Sequence, residues 1–108
     1  MAEHREEKIA QNIKEIAALW IEKEGGPSSL ITVTRVLLSP DRRNAKILLT
    51  TIPREKEQAA YGFVRRNLGE IRAELTRRLR IHPIPFLDVA IDEGEKNRQK
   101  IDDLLLNG

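Results

Sequence analysis

The segment from Asn67 to Asp92, NLGEIRAELTRRLRIHPIPFLDVAID, constrains the fold of this chain more than any other. It begins with a glycine inside an arginine-rich helical period, crosses two prolines and ends as an apolar strand closing on aspartate. Gly69 costs a helix about 1 kcal/mol relative to alanine. It therefore marks a kink, admits a closely packed backbone, or is simply a tolerated helix glycine. Pro83 and Pro85 stop the helix, because proline lacks the amide donor and clashes with the preceding turn. Leu87, Val89 and Ile91 alternate, so they share one face of a short strand.

Upstream, residues 5–24 predict a helix, with Ile9, Ile13, Ile16 and Trp20 on one face. Gly25-Gly26-Pro27 ends it. Leu30 to Leu38 is rich in β-branched residues and predicts a strand. Ser39-Pro40-Asp41 is turn chemistry, and Ala45 to Thr51 predicts a second strand joined to the first as an antiparallel hairpin. Thr51 and Pro53 are expected to open a long helix, with Glu55 and Glu57 in its electropositive first turn. Its apolar positions, Ala60, Val64, Leu68, Ile71, Leu75 and Leu79, stay within an arc of roughly 100°. Residues 95–108 predict a helical or frayed tail.

The resulting order is α-β-β-α-(kink)-α-β. It implies an α+β fold with a three-stranded sheet covered by helices on one face. At 108 residues a single domain, 1–108, is expected. The charged N-terminus, the lack of cysteine and the lack of a long apolar run point to a cytoplasmic protein that does not enter membranes.

Charge is unevenly placed. Residues 35–80 hold twelve Lys and Arg against five Asp and Glu, whereas residues 1–24 and 88–108 are each net acidic. Such asymmetry favours a polyanionic partner, the alternative being a solvated, salt-bridged surface. On the projection of one long helix, Arg66, Arg77 and Arg80 lie opposite the apolar stripe, and Arg65 and Arg72 flank it. Arginine suits bidentate phosphate contact better than lysine does. Arg35, Arg42, Arg43 and Lys46 surround the hairpin, so the candidate phosphate contacts are these four with Arg65, Arg66, Arg72, Arg77, Arg78 and Arg80. With only four aromatic residues, and Trp20 and Phe63 read as core, base stacking is expected to be minor.

Nothing in the sequence assembles a catalytic set. His4 and His82 have no carboxylate at a fixed spacing, and no phosphate loop, nucleophile elbow or metal-ligand spacing occurs. Asp92 with Glu93, and Asp102 with Asp103, are paired acids of a kind that can bind metal. Such pairs are more commonly turn or terminal residues, and neither a metal nor a cofactor is expected.

Taken in order, IAQNIKEIAALWIEKE, ITVTRVLLSPDRRNAKILLTT, LGEIRAELTRRLRIHPIPFLDVAID and KIDDLL resemble the ribosome-binding factor A family over residues 5–106. Ser39-x-Asp41-x-x-x-Ala45, Gly69-x-x-Arg72 and Pro85-x-Leu87 leading to Asp92 carry the resemblance. It implies a type II KH-like fold with an Ala-x-Gly kink between two helices, which falls here at Asn67-Leu68-Gly69. Asn67 stands where the family has alanine; Ala60-Tyr61-Gly62 spells the motif seven residues too early to place Pro85. The resemblance further implies a non-enzymatic assembly factor, monomeric when free, that binds the immature small (30S) ribosomal subunit. There it would assist maturation of 16S rRNA. A protein-interaction module using an open sheet face or edge is the alternative, discriminated by apolar surface beside Thr32, Thr34 and Thr50. A metal-dependent hydrolase built on Asp92, Glu93 and the histidines is a third reading.

Overall fold

Alternation along three strands builds a sheet with one apolar face, and helices cover that face. The computed structural model describes residues 2–25 and 30–94. Strands β1 (Leu30–Leu38) and β2 (Asn44–Ile52) form an antiparallel hairpin, from Leu30 opposite Ile52 to Leu38 opposite Ala45. Strand β3 (Phe86–Ile91) pairs parallel to β2 on its other side, giving the order β1-β2-β3. Val33, Ala45, Ile47, Leu49 and Val89 are buried beneath the helices. The register skips between Val33 and Arg35, leaving Thr34 as a bulge in β1. After the bulge, Val36 and Leu38 return to the covered side.

The hairpin turn follows its sequence chemistry. Ser39 Oγ donates to Asp41 Oδ1 at 2.6 Å, the Arg43 amide donates to the same oxygen at 3.0 Å, and the Asn44 amide donates to Ser39 Oγ. Arg42 takes a left-handed conformation, φ 61°, which lets the chain reverse. Asp41 is thereby held below the usual carboxylate range, first by the Ser39 hydroxyl and then by the Arg43 amide.

Among the described residues three α-helices pack on the sheet: α1 (Ala2–Glu24), α2 (Glu57–Arg66) and α3 (Leu68–Arg78). The buried row of α1 is Ile9, Ile13, Ala17 and Ile21, a strict four-residue repeat. Ile16 and Trp20, expected at its centre, flank it instead. Trp20 packs against Phe63 of α2, ring centroids 5.9 Å apart. One cluster joins Ala17, Ile21, Val33, Ile47, Leu49, Ala60, Val64, Ile71 and Val89; a second joins Ile9, Ile13, Ala45, Leu75 and Ile84. Burying each Ile or Leu side chain of this kind contributes about 1.5–3 kcal/mol.

Two boundaries differ from expectation. Thr51 belongs to β2, and its hydroxyl donates to the Pro53 carbonyl at 2.9 Å instead of capping a helix. Pro53 is extended, a 3-10 turn spans Arg54–Lys56, and α2 begins only at Glu57. At the other end α3 stops at Arg78, well before Pro83. Leu79 turns to an extended conformation, and Leu79, Ile81 and Ile84 fold into the second cluster.

Between α2 and α3 the helix breaks at Asn67, whose dihedrals are φ −109° and ψ 12°. Its amide bonds Val64 O at 3.0 Å, a tighter three-residue step, and the ladder resumes from Asn67 O to the Ile71 amide. The Asn67 side chain donates to Phe63 O at 2.8 Å, satisfying a carbonyl that the break releases. Gly69 lies inside α3 with nothing within 4 Å of where a side chain would stand, so no second backbone packs there. The observed order, α-β-β-α-α-β with a mixed three-stranded sheet, is the α+β, KH-like architecture expected. The tail expected at 95–108 lies outside the described residues.

Candidate nucleic-acid interface

Nine of the ten basic residues singled out in the sequence are spread over three places, and Arg72 lies inside α3. Arg35 and Lys46 project from the uncovered face of the sheet, since Lys46 falls between buried Ala45 and Ile47, and Arg35 stands opposite Leu48, which falls between buried Ile47 and Leu49. Arg42 and Arg43 occupy the hairpin turn. Arg65 and Arg66 end α2, Arg77 and Arg78 end α3, and exposed Arg80 follows. Because the helix breaks at Asn67 and α3 ends at Arg78, Arg66, Arg77 and Arg80 do not share one helix face. The single straight projection joining them does not apply.

Two of the ten are engaged inside the fold. Arg72 is half-buried: its Nε donates to Pro85 O at 3.1 Å and an Nη to Ile84 O at 2.9 Å. Its guanidinium also lies over the Phe86 ring, 4.6 Å from the centroid. Read from the sequence as a phosphate contact, Arg72 instead ties α3 to the loop that enters β3. Long side chains beside an apolar stripe are the ones that can reach across to neighbouring carbonyls. Arg42 pairs with Glu6 of α1 at 3.6 Å, linking the turn to the first helix.

The remaining arginines face water. Arg77 and Arg78 both pair with Glu74, Arg78 at 2.7 Å, and these partners hold the Glu74 carboxyl below its usual range, Arg77 foremost. Both guanidinium groups stay largely exposed. Arg65 lies 6.0 Å from the Tyr61 ring centroid, with a long 3.4 Å contact to its hydroxyl. Cations in the last turns of α2 and α3 also complement the helix dipoles, so part of their placement is explained by helix stability alone.

Phe86 is the residue that the sequence reading passed over. It opens β3 on the uncovered face and is 65% exposed. The signal was present: with Leu87, Val89 and Ile91 facing inward, Phe86 must face outward. Phe86, Lys46 and Leu37 border one shallow groove of about 370 Å³ at this end of the sheet. Beside Thr32 and Thr50 the same face carries Leu30 and Ile52, opposite each other in register and both strongly exposed, and half-buried Leu48 lies between the threonines and Arg35. Thr34 is engaged with Asp92.

Of the paired acids weighed as metal ligands, Asp92 is engaged within the fold. Asp92 is buried and accepts a hydrogen bond from Thr34. Glu93 and His82 are exposed, and no group of three His, Cys, Asp or Glu among the described residues is arranged to hold a metal ion. Asp102 and Asp103 lie outside the described residues. No described helix is long and apolar enough to cross a membrane.

A mixed sheet with helices on one face and a broken helix pair between β2 and β3 defines a protein of the type II KH-like class. Ribosome-binding factor A of Thermus thermophilus, known from a crystal structure, superposes with a TM-score of 0.70 at 25% identity, covering 78% of this chain and 92% of that one. A homology model of the Thermus thermophilus factor, fitted into a cryo-EM map of a 30S complex, matches with a TM-score of 0.65 at 28% identity, covering 75% and 88%. In sequence, ribosome-binding factor A of Thermodesulfovibrio yellowstonii is 35% identical over 104 residues, spanning 91% of this chain and 88% of its own. The family profile of ribosome-binding factor A matches residues 5–105. The chain belongs to the ribosome-binding factor A family.

Proposed function

We propose that this protein is a non-enzymatic assembly factor that binds the small (30S) ribosomal subunit and assists maturation of its 16S rRNA. Membership of the ribosome-binding factor A family supports it, as does the placement of a Thermus thermophilus relative in a 30S complex. The observation that carries the reading on this chain is the set of exposed arginines at the ends of α2 and α3, with Arg35, Arg43 and Lys46 on the sheet side. These cations contact phosphates, and the folded unit as a whole acts as the RNA-binding module. Arg72 acts within it as a brace.

Cosedimentation with purified 30S subunits on gradients tests the proposal. About six phosphate contacts predict an affinity loss on the order of a thousandfold between 50 and 200 mM salt. Charge reversal at Arg66, Arg77 and Arg80 is expected to weaken binding and flatten that dependence. Binding indifferent to both salt and charge reversal would overturn the reading.

A further inference from the structure

We propose that Phe86 is a stacking platform for one unpaired RNA base, giving the protein a base contact separate from its phosphate contacts. The inference rests on the small-subunit reading and adds to it a place where a nucleobase is held. Large aromatic rings are normally covered, and the other rings of this chain comply: Trp20 and Phe63 pack together, and Tyr61 lies against the core. Phe86 alone among the four is strongly exposed.

The ring is fixed as well as exposed. Arg72 covers one side, its guanidinium 4.6 Å from the centroid. The Arg72 head is itself held by the Ile84 and Pro85 carbonyls, so it cannot swing away without breaking two hydrogen bonds. The Phe86 amide donates to Arg43 O at 2.8 Å, anchoring the backbone to the hairpin turn. The groove with Lys46 and Leu37 borders the ring and leaves room for a flat, apolar ligand. A pre-oriented ring loses little freedom on binding, which is what a stacking surface requires.

The surrounding charge selects the occupant. Lys46 shares the groove, Arg43 is the residue whose carbonyl anchors Phe86, and Arg35 extends the same sheet face. The opposing acid is Asp88, which neighbours Lys46 in register and accepts the Val89 amide at 2.8 Å. One aromatic ring with several cations around it matches a base carried on a phosphate chain, the pattern used for single-stranded nucleic acid. A protein partner would call for a broader contiguous apolar surface, whereas the other strongly exposed apolar pair of this face, Leu30 and Ile52, stands at the opposite end of the hairpin from Phe86.

The test is a fluorescence-anisotropy titration with a labelled six-nucleotide single-stranded RNA and with the same backbone carrying abasic sugars. Wild type, Phe86→Ala, Phe86→Leu and Phe86→Trp are compared, with cosedimentation on 30S subunits run in parallel. Phe86→Ala and Phe86→Leu are expected to weaken binding of the intact oligonucleotide about 5- to 100-fold, to leave the abasic one unchanged, and Phe86→Trp to retain affinity. Equal wild-type binding of the two oligonucleotides, no measurable wild-type binding, or full affinity in Phe86→Leu overturns the stacking site. So does a protein ligand that loses binding to Phe86→Ala while RNA binding is kept. Sedimentation with subunits but no base discrimination removes the stacking site alone. Base discrimination without sedimentation supports the stacking site and removes the subunit reading.

Discussion

Thr34 donates its hydroxyl hydrogen to the Asp92 carboxylate across 58 residues of sequence, joining the bulge of β1 to the residue that ends β3. These two strands do not touch, since β2 lies between them. The Asp92 amide meanwhile extends the β2–β3 ladder by donating to Leu49 O at 2.8 Å. One aspartate thus fastens all three strands at the same end of the sheet.

Thr34→Val keeps the shape of the bulge residue and deletes the donor. A buried carboxylate then has one hydrogen bond fewer, which costs about 1–2 kcal/mol. Urea unfolding is expected to show a lower midpoint with an unchanged slope. A midpoint equal to wild type would show that the bond contributes nothing.

Arg72→Lys separates bracing from phosphate contact. Lysine has no planar fork to reach two carbonyls and cover a ring together. The loss of two hydrogen bonds and the ring contact is expected to lower stability by about 1–3 kcal/mol. The salt dependence of subunit binding should keep its slope, because no phosphate partner has been removed. A shallower slope in this variant would return Arg72 to the phosphate contacts.

The break between α2 and α3 makes opposite predictions for its two unusual residues. Asn67→Ala removes the bond to Phe63 O and is expected to destabilise by about 1 kcal/mol. Gly69→Ala meets open space within a helix and is expected to stabilise, by up to about 1 kcal/mol. Thermal melts of both variants decide the matter. A destabilised Gly69→Ala protein would mean that glycine, not asparagine, sets the break.

Asp41 predicts an acid-side effect. Its folded value lies below the ordinary carboxylate range, so the ionised form is favoured by folding. That contribution is present above about pH 4 and is lost as pH falls through the depressed folded value. Asp41→Asn should therefore reduce stability at pH 7 and show a flatter decline below pH 4. Parallel acid limbs for the two proteins would contradict the assignment.

Strand positions were legible because period-two alternation carries the burial pattern directly, and β1 fell at Leu30–Leu38 as expected. The helix break was less accessible. Gly69 drew attention through its propensity and the family resemblance put the kink at Asn67-Leu68-Gly69; within that span the interruption falls at Asn67, whose side chain supplies the bond that a broken ladder lacks. Arg72 shows the larger difficulty. Its charge and helix position match those of its neighbours, and only the folded-back loop at Ile84 and Pro85 reveals that two of its donors are spent internally. Phe86 was obscured by composition, since counting few aromatics says nothing about which of them faces water.

Parallel pairing of β3 with β2 also bears on how the chain is made. The hairpin is complete once Ile52 has been synthesised, but Val89 and the Asp92 fastening come only after α2 and α3. At roughly 5–20 residues per second, the forty residues from Ile52 to Asp92 take about two to eight seconds. Throughout that interval the inward row of β2, Ala45, Ile47 and Leu49, has a bare flank. A nascent chain of this protein therefore emerges with a sticky, half-built sheet whose open flank β3 later closes.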